Sequence, residues 1–240
     1  MVLIAANWKE HKTNEEAIQF MQELEKRISD INTEVVVAPS FVALKDAKEN
    51  SNKTKIAAQN MFYSEEGAFT GEVSARMLEG FCDYVILGHS ERRRFFNETD
   101  ESVNKKVHKA LEHNIIPIIC IGESKEQRDN GQTFEVIERM LNSALEGINE
   151  SNFVIAYEPV WAISGGDSNT KPATPEDAEE AHAFIREKLK EKNLENVHVI
   201  YGGSVKPGNI SQLMEKENID GALVGGASLE VDSFEKIIKY

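Results

Sequence analysis

Four polar residues stand just beyond short apolar runs, where a folded chain would present them at the end of a strand. Asn7 and Lys9 follow the run that starts at Val2, His89 follows Tyr84–Leu87 and Gly88, and Glu158 follows Phe153–Tyr157. Glu158 also precedes Pro159, so its backbone is expected to be extended. A carboxylate at an apolar strand end is desolvated, which suits a general base. His89 opens a helix-like stretch, Ser90-Glu91-Arg92-Arg93. A helix N-terminus disfavours a cationic imidazole, and a neutral one can donate a hydrogen bond to a polarised carbonyl. Lys9 and Asn7 would add a cation and an amide. Each residue also has a plainer reading. Asn7 and Lys9 could form a solvated turn, Glu158 could pair with a nearby Lys or Arg, and Arg92 and Arg93 could pair with surface acids. His11, His108, His113, His182 and His198 are read as structural.

Two glycine pairs follow the last two apolar runs, in Gly202-Gly203-Ser204 and Gly225-Gly226-Ala227-Ser228. Glycines let backbone N–H groups approach a ligand closely, and with a helix N-terminus they could cradle a phosphate. One such pair alone would signify only a tight turn. Small and polar residues also dominate Ala162 to Ala173, which reads as an inserted loop or as a lid over a site. No His/Cys pair has ligand spacing, so no metal is expected. There is no Walker A loop, and Lys206 stands two residues after Ser204, where a hydrolase elbow needs glycine.

The elements that must hold these residues are legible from the apolar pattern. Strands are expected at Val2–Ala6, Glu34–Ala38, Lys55–Gln59, Tyr84–Leu87, Ile115–Ile121, Phe153–Tyr157, Val197–Tyr201 and Ala222–Val224. They are apolar on consecutive positions, as in parallel sheets buried on both faces. Helix-like stretches lie between them, including Asn14–Ile28, Glu101–His113, Thr133–Leu145 and Ser228–Ile238. Thr174-Pro175-Glu176-Asp177 reads as a helix cap, and Pro207-Gly208-Asn209 as another helix start. Eight strand–helix units leave a closed barrel or an open doubly wound sheet. The open sheet usually carries a glycine-rich loop after its first strand, whereas Asn7-Trp8-Lys9-Glu10 has no glycine. The closed (β/α)8 barrel, α/β in class with eight parallel strands, is therefore favoured. In such barrels chemistry sits at the C-terminal ends of the strands.

Composition narrows the partners. The chain has 240 residues with a formal net charge of −14, which disfavours nucleic acid and anionic membranes as partners. With 40% hydrophobic and 28% charged residues it has an ordinary globular composition, and a single domain over 1–240 is expected. Cys82 and Cys120 read as small buried hydrophobes. The longest apolar run, Ile115 to Ile121, is far too short to span a bilayer. No basic, then long apolar, leader opens the chain, so a cytoplasmic location is expected.

Eight motifs together resemble the triosephosphate isomerase family, in family order and across nearly the whole chain. They are Asn7-Trp8-Lys9, Ala58-Gln59-Asn60, Gly67-Ala68-Phe69-Thr70-Gly71-Glu72, Gly88-His89-Ser90-Glu91-Arg92-Arg93, Cys120-Ile121-Gly122-Glu123, Ala156-Tyr157-Glu158-Pro159-Val160-Trp161-Ala162-Ile163, Tyr201-Gly202-Gly203-Ser204-Val205 and Val224-Gly225-Gly226-Ala227-Ser228. The resemblance implies a TIM barrel that interconverts dihydroxyacetone phosphate and D-glyceraldehyde 3-phosphate, in glycolysis and gluconeogenesis, without cofactor or metal. It implies Glu158 as the base, His89 as the neutral electrophile and Lys9 as the cation that offsets substrate charge. Asn7 would help to hold the substrate, and Ser204, Gly225 and Gly226 would bind its phosphate. Ser90 and Glu91 would support the site from behind.

The segment Gln59 to Glu72 resembles the family's protruding dimer loop. It implies a homodimer in which Thr70 enters beside the neighbour's site, and Met61, Phe62, Tyr63 and Phe69 fit such a contact. The lid departs from the family pattern. Its tip, Ala162 to Thr170, is longer than usual, and the expected phosphate contact falls on Ser164, Gly165 or Gly166. Pro172 should stiffen its second hinge. Such a lid is expected to close less tightly and to let more phosphate be eliminated. Two other readings stay open here. One is another phosphate-binding barrel isomerase, which should lack the Asn7/Lys9/His89/Glu158 set. The other is a barrel retained only as a binding scaffold.

Overall fold

The computed structural model describes residues 2–163 and 172–240. Eight strands form a closed, all-parallel barrel in chain order. They are β1 (Leu3–Asn7), β2 (Glu34–Ala38), β3 (Lys55–Ala58), β4 (Tyr84–Leu87), β5 (Ile116–Ile121), β6 (Val154–Tyr157), β7 (His198–Tyr201) and β8 (Gly221–Val224). Helices lie between and after them: α1 (Asn14–Arg27), α2 (Leu44–Glu49), α3 (Ala75–Leu78), α4 (Ser90–Phe96), α5 (Asp100–Glu112), α6 (Lys125–Asp129), α7 (Thr133–Ala144), α8 (Pro175–Glu191), α9 (Ile210–Met214) and α10 (Val231–Ile238). No described helix is long and apolar enough to cross a membrane.

The strands are buried on both faces, and the side-chain period of two divides them between two cores. Leu3, Ala5, Val36, Tyr84, Ile86, Ile118, Cys120, Val154, Ala156, Ile200 and Leu223 belong to the cluster inside the barrel. The residues between them, such as Ile4, Val85, Ile119, Ile155 and Val199, pack with the helices in the larger cluster. The inward rows have a direct consequence for the site. Counting two residues on from Ala5, Cys120, Ala156, Ile200 and Leu223 gives Asn7, Gly122, Glu158, Gly202 and Gly225. Polar residues and glycines thus top the rows that are apolar below.

Local signals explain the helices that frame this end. Thr13 and Thr174 cap α1 and α8 with reciprocal side-chain and backbone bonds to Glu16 and Asp177, and Pro175 begins α8. Both cysteines are buried and free. Burial pushes the Cys82 thiol up to about 12, and burial with the nearby charge of Glu158 holds the Cys120 thiol well above its ordinary value. Neither is a ready nucleophile.

The segment Gln59 to Glu72 is tied down differently from the sequence expectation. Met61 is fully buried in the protein's own core, and Phe62 stacks on Tyr63 at 4.2 Å and meets Phe69 at 4.7 Å. Of the four apolar residues placed on this loop, only Phe69 is exposed. Glu65 is joined to α5 by His113, whose Nε2 lies 3.0 Å from Glu65 and whose Nδ1 lies 2.5 Å from Glu79. Lys109 also approaches Glu65, at 3.3 Å. Hydrogen bonds to Glu65 and then Glu79 raise the His113 pKa. The imidazolium is the bonded form, so this contribution is complete below the ordinary imidazole value and is lost as pH rises through the raised one. The thermal midpoints of the parent and of His113→Gln should therefore differ most near pH 6 and converge by about pH 9. A gap that is constant with pH would show that the imidazolium is not the stabilising form.

Candidate active site

The barrel's C-terminal end opens into a cavity of about 1290 Å³, lined by Asn7, Lys9, His89, Glu91, Glu158, Ser204, Gly225 and Gly226 among others. Every sequence-proposed site residue within the described regions borders it except Ser90, whose N–H reaches Glu158. Ser164, Gly165 and Gly166, the proposed lid contacts, lie outside the described residues, as does most of the tip expected at Ala162 to Thr170.

Glu158 is almost completely buried, at 2% exposure. Its two oxygens are treated differently. Oε2 accepts a hydrogen bond from the Ser90 N–H at 2.9 Å. Oε1 is buried without a hydrogen bond, although His89 Nε2 stands 3.1 Å away. An unsatisfied buried carboxylate oxygen is costly, and it leaves a lone pair available to a proton. Glycines make this placement possible. A Cβ at Gly122 would lie 1.9 Å from the Glu158 carbonyl oxygen, and one at Gly202 would lie 2.9 Å from its Cγ.

His89 occupies the N-cap of α4, where its Nδ1 accepts from the Glu91 N–H at 3.3 Å. Accepting at Nδ1 leaves Nε2 as the ring nitrogen that carries a proton, and it stands 3.1 Å from Glu158 Oε1 without a hydrogen bond to it. Lys9 has a left-handed backbone, with φ of 53°. That conformation is strained for a residue with a side chain. It is held on both sides, because the Lys9 N–H donates to Asn7 Oδ1 at 3.0 Å and Gln59 Nε2 donates to the Lys9 carbonyl at 2.9 Å. The ammonium of Lys9 pairs with Glu91 at 2.5 Å. Glu91 therefore does not stand behind the site as expected; it lines the cavity and holds Lys9.

The wall beside Lys9 is made of backbone, since β8 pairs with β1 and a Cβ at Gly225 would lie 3.5 Å from Lys9 Cε. Gly225 leads into a 3-10 turn, Gly226–Ser228, whose Ser228 hydroxyl donates to the carbonyls of Val224 and Gly225. Ser204 lies across from it, and its carbonyl accepts from Asn209 Nδ2 at 2.9 Å. These two loops bring small residues and backbone to one rim of the cavity.

Beyond Glu158, a fully buried Glu123 accepts from Tyr157 Oη at 3.0 Å and from Trp161 Nε1 at 2.7 Å. Arg128 lies over the Trp161 ring at 4.2 Å and pairs with Asp177 at 2.5 Å. Trp161 on one side of the undescribed segment is thereby joined to Glu123 in the β5–α6 loop, and Asp177 on the other to Arg128 of α6, which also lies 3.4 Å from Glu123. Gln59 and the Glu123–Arg128 pair are missing from the sequence-derived roles, since their partners are distant in sequence. The inward-row parity was the one signal that could have singled out Gly122 and Gly202. Of the histidines read as structural, His11 lines the cavity. His182 is buried with its Nδ1 3.2 Å from the Asn218 carbonyl, and burial pushes its pKa down to about 3. Among the described residues no group of three His, Cys, Asp or Glu side chains is placed to hold a metal ion.

Comparison with known proteins gives the same answer along the whole chain. The family model described as "Triosephosphate isomerase" matches residues 2–240. A triosephosphate isomerase of Acetivibrio thermocellus is 51% identical over 250 residues, covering 100% of this chain and 98% of the relative. One from Clostridium beijerinckii is 49% identical over 245 residues, and one from Alkaliphilus metalliredigens 47% over 248, each covering 99% of this chain and 98% of the relative. With the barrel and the cavity residues in place, the chain belongs to the triosephosphate isomerase family.

Proposed function

We propose that the protein is a triose-phosphate isomerase, interconverting dihydroxyacetone phosphate and D-glyceraldehyde 3-phosphate in glycolysis and gluconeogenesis. Family membership supports the activity. The observation that carries the residue assignment is Glu158 itself, with one oxygen anchored by the Ser90 N–H and the other buried, unbonded and 3.1 Å from His89 Nε2.

The reaction moves a carbonyl between adjacent carbons, so a weakly acidic C–H proton must be removed and returned one carbon away. One carboxylate can do both. Glu158 Oε1 takes the proton, an enediol(ate) forms, and the same group delivers a proton to the neighbouring carbon. His89 Nε2–H donates to the carbonyl oxygen as charge develops, and Lys9 and Asn7 add a cation and an amide nearby. Substrate atoms cannot fit between groups 3.1 Å apart, so the carboxylate must turn away from His89 and Ser90 as substrate enters. Gly202 keeps open space beside the Glu158 side chain, since a Cβ there would lie 2.9 Å from Cγ and 3.7 Å from Oε1. Ser204, Gly225 and Gly226 receive the phosphate at the rim that adjoins Lys9, with no cofactor or metal required. Ser164, Gly165 and Gly166 remain the proposed contacts from the lid. The direct test is isomerase turnover by the purified chain in a coupled assay with glyceraldehyde 3-phosphate. No turnover with a folded chain would overturn the assignment.

The same reading makes the chain a single cytoplasmic domain and a homodimer that meets its partner through Gln59 to Glu72. Support for the dimer comes from exposed apolar side chains, three of which line the cavity. Val42, Phe95 and Phe96 are 74%, 62% and 65% exposed, and Phe41 and Phe69 add to them. Phe41, Phe95 and Phe96 line the cavity, so a partner seated there would also wall the site. Apolar surface of this kind marks an interaction site. Phe96→Asp should turn a dimer into a monomer in sedimentation velocity at micromolar concentration, with reduced turnover. An unmodified chain that sediments as a monomer would refute the dimer.

A further inference from the structure

The protein carries a net charge of −14, yet its proposed substrate is an anion. The charges that border the cavity balance, with Lys9, Arg92 and Lys206 against Glu10, Glu91 and Glu158. The cations are not equally available. Lys9 is held by Glu91 at 2.5 Å, and the Arg92 Nε lies 3.5 Å from buried Glu98 while its guanidinium covers the Phe96 ring at 4.8 Å. Lys206 is exposed and makes no ion pair among the described residues. Its backbone is fixed nonetheless. The Lys206 N–H donates to Asn209 Oδ1 at 2.7 Å, its carbonyl accepts from the Asn209 and Ile210 N–H groups at 3.1 and 3.2 Å, and Pro207 follows. Asn209 also holds the carbonyl of Ser204. A long cation with no ion-pair partner among the described residues is therefore rooted rigidly two residues from one of the proposed phosphate groups.

We infer that Lys206 is the capture cation of this site: it draws the substrate's phosphate to the rim between Ser204 and Gly225-Gly226 and acts on encounter, not on proton transfer. The inference deepens the proposed function and rests on it. A rim charge acts on association and its salt dependence, and it is screened beyond about 10 Å at 0.1 M salt. It is needed here because the surrounding surface repels the ligand, and a local field at the mouth decides whether an anion enters.

The test is glyceraldehyde 3-phosphate turnover by the full chain across ionic strength, for the parent, Lys206→Met, Lys206→Arg and Lys206→Glu. At low ionic strength kcat/KM should fall about threefold in Lys206→Met and about tenfold in Lys206→Glu, with kcat unchanged and Lys206→Arg close to the parent. By about 0.2 M salt the variants should converge to within about twofold. Inhibition by inorganic phosphate should weaken in the same order. Parallel salt curves, or an equal fall in kcat, would overturn the role of Lys206. That result is distinct from absence of turnover in the folded parent, which would overturn the isomerase reading itself.

Discussion

Glu158→Asp lowers kcat by about a hundredfold or more while KM stays close to that of the parent. The reason is reach. The Glu158 backbone is fixed by its N–H bond to the Ile121 carbonyl at 2.8 Å, beneath the cavity floor. From there the side chain extends until Oε2 meets the Ser90 N–H and Oε1 stands beside His89. With the backbone held there, the carboxylate must swing from this resting position to the reacting carbons, and removing one methylene leaves its oxygens short of them. Aspartate keeps the charge, so ground-state binding of the phosphate is untouched and the loss falls on the step that moves the proton. Steady-state kinetics on a variant with an unchanged thermal midpoint separates these terms. An unchanged kcat would remove Glu158 from proton transfer.

Gly122→Ala is expected to damage the fold and the chemistry together. The added Cβ would meet the Glu158 carbonyl oxygen at 1.9 Å and its carbonyl carbon at 2.6 Å. Both are backbone atoms, so no rotamer change relieves the clash, and β5 and β6 must separate locally. Overpacking of this kind costs on the order of 1–3 kcal/mol, which lowers the thermal midpoint by roughly 2–12 °C in a chain of this length. The same displacement carries Glu158 out of register with His89 and should lower kcat by about a hundredfold. Gly208→Ala is the control, since a Cβ there meets nothing within 4 Å. The prediction fails if Gly122→Ala melts and turns over like the parent.

Much of this architecture is written locally. Consecutive apolar runs located all eight strands, each within one residue at either end, because a strand buried on both faces must be apolar throughout. The long helices were legible from the same periodicity, whereas α3 and α6, of four and five residues, are too short to show one. Asn7, His89 and Glu158 could be found because each ends or follows a strand. Their relations could not. The Ser90 N–H on Glu158, the Glu91 carboxylate on Lys9 and the Gln59 amide behind Lys9 join positions 68, 82 and 50 residues apart. Exposure was equally hidden. Met61, placed with the dimer-loop residues in sequence, is core, while Phe95 and Phe96, which the sequence reading passed over, are exposed. Only the closed barrel decides which apolar side chains have somewhere to go.

That closure also sets when the site can exist. Leu3 pairs with Gly221 across the β1–β8 seam, and a Cβ at Gly221 would lie 1.8 Å from the Leu3 carbonyl oxygen. Asn7 and Lys9 come from the first strand–helix connection and Gly225-Gly226 from the last. During synthesis the first strand must wait for nearly the whole chain before its second edge is covered. An uncovered edge of that kind is a template for pairing with other chains. Such non-local pairing is also intrinsically slow to form. The catalytic pocket and the seam are therefore finished by the same late event, and a folding intermediate lacking β8 would be inactive and prone to aggregate at once.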